Sequence, residues 1–273
     1  MVDKSEKFSW LVRLGFAARG VVYLLLGYLF LAGSGQSQAD EGAQGVFNYL
    51  QEVPGGTPIL YLCALGLVGY GLYRLSSLLF DAENYGKDKK GIAQRLGHGA
   101  SGLAHFVLAY TAFQFAQGEQ QSSGGGGGGG GSAQEATSTV LSMEFGPIVI
   151  GILGLCFLAA ALAQAKKAIT GDFMERISPR APGFTKIIGH AGFAARTVVF
   201  AVIGWSFVQS AWLDSSSQIK TLGEAVSSLR DNGVLFTLVA IGLLLFGVFS
   251  LVMARYRTVP DLDPDGVKPA YRT

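Results

Sequence analysis

Two arginines stand inside long apolar runs, Arg19 and Arg196. A guanidinium in hydrocarbon costs about 3 kcal/mol on insertion scales, and more when isolated, so each needs compensation. Three arrangements would supply it. The side chain snorkels to headgroups, donates to backbone carbonyls or loop acids, or joins a polar site between helices. Placed one to two turns inside their helices, both arginines are expected to snorkel. His98, His105 and His190 fall in the same class of segment, with His105 the deepest. A lone intramembrane His is ordinarily an interhelical hydrogen-bond partner before it is a proton relay. In a middle copy of the same pattern, Ser101 takes the arginine's position. Arg19, Arg196, His105 and Ser101 are the candidate axial polar site.

Other chemical signatures fail on inspection. Gly97-His-Gly-Ala-Ser-Gly102 has the glycine spacing of a dinucleotide loop, but it opens an apolar helix with no strand before it. Its glycines, like Gly66, Gly69, Gly71, Gly151 and Gly154, fit close helix packing instead. Asp261-Leu-Asp263-Pro-Asp265-Gly266 starts like a calcium loop, yet its twelfth position is Arg272, where a bidentate carboxylate is required. Cys63 and Cys156 lie singly in apolar runs, without metal or disulfide spacing. Nucleophile elbow, His-Glu-x-x-His and nucleic-acid module are all missing. The expectation is no enzyme activity, no cofactor, no metal and no nucleic-acid partner.

The elements that must position these residues are membrane-spanning. Hydrophobic residues make up 49% of the chain and charged residues only 15%, against about 25% charged in a soluble domain. A bilayer core needs about 20 apolar residues per helix. Six windows qualify, at 14–32, 58–80, 96–117, 147–165, 191–213 and 233–254. The first would also pass as a signal peptide, with Lys4, Lys7 and Arg13 ahead of it. An internal copy argues against that. Phe16-Ala17-Ala18-Arg19 recurs as Phe193-Ala194-Ala195-Arg196, Gly27 recurs as Gly204, and Arg95-Leu96-Gly97 mirrors Arg13-Leu14-Gly15. Among the second helices, Tyr70-Gly71 aligns with Phe246-Gly247, and Ile150-Gly151-Ile152 supplies the middle copy. The unit is helix, polar loop, helix, repeated three times.

Each internal loop carries a short amphipathic stretch, read as an interfacial helix lying on the membrane surface. The stretches contain Val46, Phe47 and Leu50, then Val140 and Met143, then Leu222, Val226 and Leu229. Ser132–Glu135 and Thr221–Glu224 have capping-box spacing. Eight glycines at 124–131 form a flexible linker. The internal loops are acidic, whereas the segments between hairpins carry Lys87, Lys89, Lys90, Arg95, Lys166, Lys167, Arg176, Arg180 and Lys186. Lys and Arg mark the cytoplasmic face, so both termini are expected inside.

Three hairpins opening on Gly15-Phe-Ala-Ala-Arg19-Gly20 and Gly192-Phe-Ala-Ala-Arg196, with Gly66-Leu-Val-Gly-Tyr70-Gly71 in a second helix, resemble the bacterial membrane proteins of "domain of unknown function 1206". The resemblance spans about residues 10–257. It implies a six-helix bacterial membrane protein and no particular activity. The middle copy departs from it at Ser101 and in the glycine-rich insert. Mitochondrial carriers share the three-hairpin plan, but their proline–acid signature is absent.

The expected fold is all-α and polytopic: six transmembrane helices as three parallel hairpins around a pseudo-threefold axis. Residues 1–9 form a cytoplasmic N-terminus, 10–82 the first hairpin and 93–168 the second, with an external loop at 118–132. Residues 186–257 form the third hairpin and 258–273 a cytoplasmic tail. The polar first helices should line the axis and the cleaner second helices should face lipid. The expected location is the bacterial inner membrane. Expected partners are the lipid bilayer and, for an accessory role, another membrane protein. A structural or accessory protein without catalysis is the first expectation. A small anion or proton transporter or channel is the alternative.

Overall fold

The computed structural model describes residues 4–32, 36–83, 85–118 and 130–259. The Asp261–Gly266 motif lies outside them, as does most of the oligoglycine stretch. Among the described residues the chain is helical, with one isolated antiparallel bridge between Ile177 and Arg257. The first hairpin is α1 (Lys4–Ala32), short α2 (Gln36–Asp40) and α3 (Ala43–Glu52), then α4 (Gly56–Phe80). The second is α5 (Lys89–Ala116), α6 (Gly130–Leu141) and α7 (Gly146–Thr170). A 3-10 turn at Asp172–Arg176 leads to α8 (Thr185–Leu213), short α9 (Leu222–Ser227) and α10 (Gly233–Tyr256).

Five of these helices are long and apolar enough to cross a membrane: α1 from Ser9, α4, α7, α8 and α10. The sixth expected span, α5, has 28 residues but falls short on apolarity, because Arg95, His98, Ser101, His105 and Gln114 dilute it.

Packing follows the repeats. The second helix of each hairpin lies along the first helix of the next: α4 on α5, α7 on α8, and α10 back on α1. Within hairpins, α1 packs on α4 and α8 on α10, whereas α5 and α7 touch at most marginally. The helices therefore form a ring that is open on one side. Glycines set its close approaches. A Cβ on Gly27 would lie 2.6 Å from the Leu244 nitrogen, and one on Gly204 would lie 2.9 Å from the Leu158 nitrogen. This is the same contact in two repeats. It aligns Leu158 with Leu244, so the expected match of Gly151 with Gly242 is out of register; Gly151 meets only Ala211 at 3.6 Å, whereas a Cβ on Gly154 would lie 2.9 Å from the Gly204 carbonyl. Gly97 has nothing within 4 Å and serves no packing role.

A second contact recurs three times. Arg13 donates to the Ala254 carbonyl at 3.1 Å, Arg95 to the Leu78 carbonyl at 3.0 Å, and His190 Nδ1 to the Ala168 carbonyl at 2.5 Å. Each clips the start of a first helix to the end of the preceding second helix, where unsatisfied carbonyls need donors.

Two of the three loop helices, α3 and α9, pack into the bundle, whereas Met143 after α6 is exposed. Val46 and Phe47 of α3 and Ala225 and Val226 of α9 are wholly buried, in one cluster with Leu26, Leu29, Phe30, Ala112 and Phe115. Their apolar faces find the ends of the long helices, so no membrane surface is needed to cover them. Asp40 ties this lid across repeats, accepting from Arg230 Nη2 at 2.7 Å. α9 carries the Thr221–Glu224 capping box, with Thr221 N donating to Glu224 Oε2 at 2.8 Å. α6 begins at Gly130, so Ser132 lies within the helix.

On the opposite face, Glu83 is 1% exposed and pairs with both Arg176 and Arg257. Arg257 Nη2 also donates to the Tyr73 hydroxyl at 2.8 Å. One buried carboxylate thus ties the first linker, the second linker and the end of α10. Trp10 lies toward this face and Trp212 toward the loop face, both exposed, as an interfacial aromatic pair would be.

Candidate functional site

Arg19 and Arg196 occupy the middle third of their spans, Ser9–Ala32 and Thr185–Leu213. Arg19 is 8% exposed and held on all sides. Its Nη1 donates to the Tyr70 hydroxyl at 2.6 Å, and its Nε and Nη2 to Ser250 Oγ at 3.3 and 3.2 Å. Its guanidinium carbon lies 5.0–5.1 Å from the ring centroids of Phe16, Tyr70 and Phe246. Aromatic faces attract a cation by their quadrupole, and the attraction strengthens without water.

Arg196 is the repeat equivalent of Arg19, with a different outcome. It stacks over Phe246 at 4.5 Å, Phe200 at 4.9 Å and Tyr23 at 5.5 Å. It has no hydrogen bond among the described residues, and its Nε is buried without a partner. The repeats explain the difference. Phe246 stands where Tyr70 stands, so the accepting hydroxyl is missing. The α7 position matching Ser250 is Gln164, which is 9% exposed and has no hydrogen-bond partner among the described residues.

The tyrosine hydroxyl at 70 is shared. Arg74 Nε donates to it at 2.9 Å, and Arg74 Nη1 donates to the His98 ring at 2.9 Å. The His105 ring lies against Tyr70 with centroids 4.5 Å apart, while its Nδ1 donates to the Ser101 carbonyl at 2.6 Å. Ser101 therefore enters through its backbone. His190 serves the α7–α8 clip described above and stands apart from this group. Lys167 sits over Phe193 at 5.6 Å, and the charges of Arg74 and Arg196 both act on it. It has no hydrogen bond or ion pair among the described residues. The carboxylate whose field reaches it, Asp172, is paired with Lys166 at 3.0 Å.

All six long helices thus feed one interior set: Arg19 from α1, Tyr70 and Arg74 from α4, His98 and His105 from α5, Lys167 from α7, Arg196 from α8, and Phe246 and Ser250 from α10. The expectation that first helices alone line the interior is corrected. The close glycine contacts bring α4 and α10 inward, and α7 is the most outward-facing, with 17% of its apolar window buried against 56% for α1. Sequence reasoning missed Tyr70, Arg74, Gln164, Lys167 and Ser250. The alignment of Tyr70 with Phe246 carried the signal, because it pairs one arginine with a hydroxyl and the other with a bare ring.

Chemically, the set is cationic. Arg19, Arg74, Arg196 and Lys167 converge, and no carboxylate contacts any of them among the described residues. The interior serines 76, 77 and 250 donate to backbone carbonyls of their own helices.

Comparison with known proteins agrees with the repeat. The family described as Domain of Unknown Function (DUF1206) matches residues 14–77, 96–171 and 191–257. "Uncharacterized protein YxxB" of Bacillus subtilis (strain 168) is 27% identical over 266 residues, covering 93% of this chain and 94% of that protein. No solved structure matches the chain. Three matched segments, each one helical hairpin, place the chain in a family: it belongs to DUF1206.

Proposed function

We propose that this chain is an accessory integral membrane protein that holds an anion in its interior and has no catalytic chemistry of its own. Arg196 carries the reading. A mid-span guanidinium with no protein acceptor is costly in hydrocarbon unless something negative completes it. The reading takes α5 as a sixth span and the three hairpins as pseudo-threefold, supported by the triple helix-end clip and the cyclic packing of α4 on α5, α7 on α8 and α10 on α1. It sets the chain in the cell membrane with both termini cytoplasmic, because the basic linkers share the terminal face. Another membrane protein is a compatible partner, and nucleic acid is not, since the basic residues line a membrane face.

Thermal unfolding of the detergent-solubilised protein in chloride, acetate, sulfate and phosphate tests it. At least one anion should raise Tm in a saturable way for the wild type and not for Arg196→Gln. If no anion shifts the wild type, the reading fails.

Transport of an anion or proton is the second reading. The line from Lys167 near the end of α7 to mid-span Arg196 favours it. The apolar lid of Val46, Phe47 and Val226 at the other end opposes a through path. Liposome flux in wild type, Arg19→Ala and Arg196→Ala decides. Background flux in all three removes transport.

A further inference from the structure

We infer that the anion is a phosphate group, recognised by Arg196, Gln164 and Lys167 on the open side of the ring. The inference rests on the anion-site reading and names its ligand. Three observations carry it. First, the unpartnered donors are of three kinds that suit a tetrahedral oxyanion: a planar fork, a carboxamide and a point charge. Arg196 and Lys167 make no hydrogen bond among the described residues, with Arg196 Nε buried, and Gln164 is 9% exposed and makes none there either. Gln164 and Lys167 are three apart on α7, hence neighbours on one helical face.

Second, four cations share one aromatic cluster: Arg19 and Arg74 stack on Tyr70, Arg19 and Arg196 on Phe246, and Lys167 on Phe193, which packs on Phe246 at 5.5 Å; the carboxylate near Lys167, Asp172, is engaged with Lys166. A ligand with two ionisations, or with one carried by several oxygens, compensates that charge better than a monatomic anion. Third, the opening lies between α5 and α7, the one hairpin whose long helices do not pack on each other. Apolar side chains such as Leu103 and Leu162 on the same two helices are exposed. Hydrocarbon outside such an opening suits a phospholipid headgroup with its chains left in the bilayer. A water-borne phosphate offers the same chemistry.

The test uses the full chain and two probes. Inorganic phosphate is titrated against the detergent-solubilised protein by phosphorus NMR. Phosphatidylglycerol is titrated into phosphatidylcholine nanodiscs and its retention read by native mass spectrometry. Wild type should bind at least one probe. Arg196→Gln and Lys167→Gln should each weaken binding about tenfold or more, the loss expected for one charge-assisted contact. Arg196→Lys should keep part of the affinity, with unchanged helix content by circular dichroism as the folding control. Binding of phosphate alone identifies a soluble source, and binding of the lipid alone identifies a membrane source; either supports the inference. If chloride, acetate or sulfate stabilises the wild type through Arg196 and neither phosphate probe binds, the phosphate assignment is wrong while the anion site stands. If no anion binds, both fall. Phosphate binding unchanged in Arg196→Gln and Lys167→Gln also overturns the inference.

Discussion

Tyr70→Phe isolates the contact on which the interior rests. The change removes one oxygen and leaves the ring, so packing volume is conserved and the stacking of Arg19 and Arg74 on that ring remains. The lost oxygen accepts from Arg19 at 2.6 Å and from Arg74 at 2.9 Å. A hydrogen bond to a charged donor contributes about 1.5–3 kcal/mol. Arg19 keeps Ser250 and Arg74 keeps His98, so neither guanidinium is stripped bare. The low end of that range therefore applies to each bond, about 3 kcal/mol for the two together. In a protein of this size 1 kcal/mol moves Tm by about 2–4 °C, so a fall of about 6–12 °C is expected. Thermal unfolding followed by circular dichroism in one fixed detergent measures it. A fall under roughly 2 °C, with helix content unchanged, would mean that Tyr70 does not hold the two charges.

Glu83→Ala should destabilise by about 2–4 kcal/mol in the same assay, slightly below the range for breaking a buried ion pair, because Arg176 is 28% exposed and rehydrates. Gly247→Ala should cost about 1–3 kcal/mol or more, since its Cβ would lie 2.4 Å from the Leu24 nitrogen, whereas Gly97→Ala, in open space, should be neutral or stabilising by about 0.5–1 kcal/mol; similar melting of both variants would contradict the glycine-set packing. Cys156 faces lipid in mid-span and Cys63 is buried, so a water-borne maleimide should label neither in the folded protein in membranes and both after denaturation, because the thiolate is the reactive form; labelling of Cys63 in the folded protein would contradict the packing of α4.

The architecture was legible wherever the signal is local. Apolar run length marks the spans, and the recurrence of Phe-Ala-Ala-Arg marks the repeat without reference to any partner helix. The clip that Arg13, Arg95 and His190 form was half-visible, as an aligned column whose third member is a different residue type. The register of α7 was not legible. Its copy lacks the Tyr-Gly or Phe-Gly landmark, and only the contact of Gly204 with Leu158, matching that of Gly27 with Leu244, sets the alignment. The fate of Arg19 was misjudged because its acceptors, Tyr70 and Ser250, lie on other helices, and α1 begins at Lys4, earlier than its purely apolar window. Lys167 read as a linker cation because it neighbours Lys166, although the two point differently: one pairs with Asp172 and the other faces Phe193. Glu83 shares its linker with Asp81 and Asp88, and nothing local marks its two distant partners, Arg176 and Arg257.

The placement of the whole interior set depends on α5 crossing the bilayer, since His98 and His105 ride on it and the open side of the ring is its flank. Single cysteines at Lys87 and Ser123, in a chain with both native cysteines replaced, measure this directly in intact cells with an impermeant thiol reagent. Labelling at Ser123 and protection at Lys87 is the predicted pattern, and the same accessibility at both positions would contradict it.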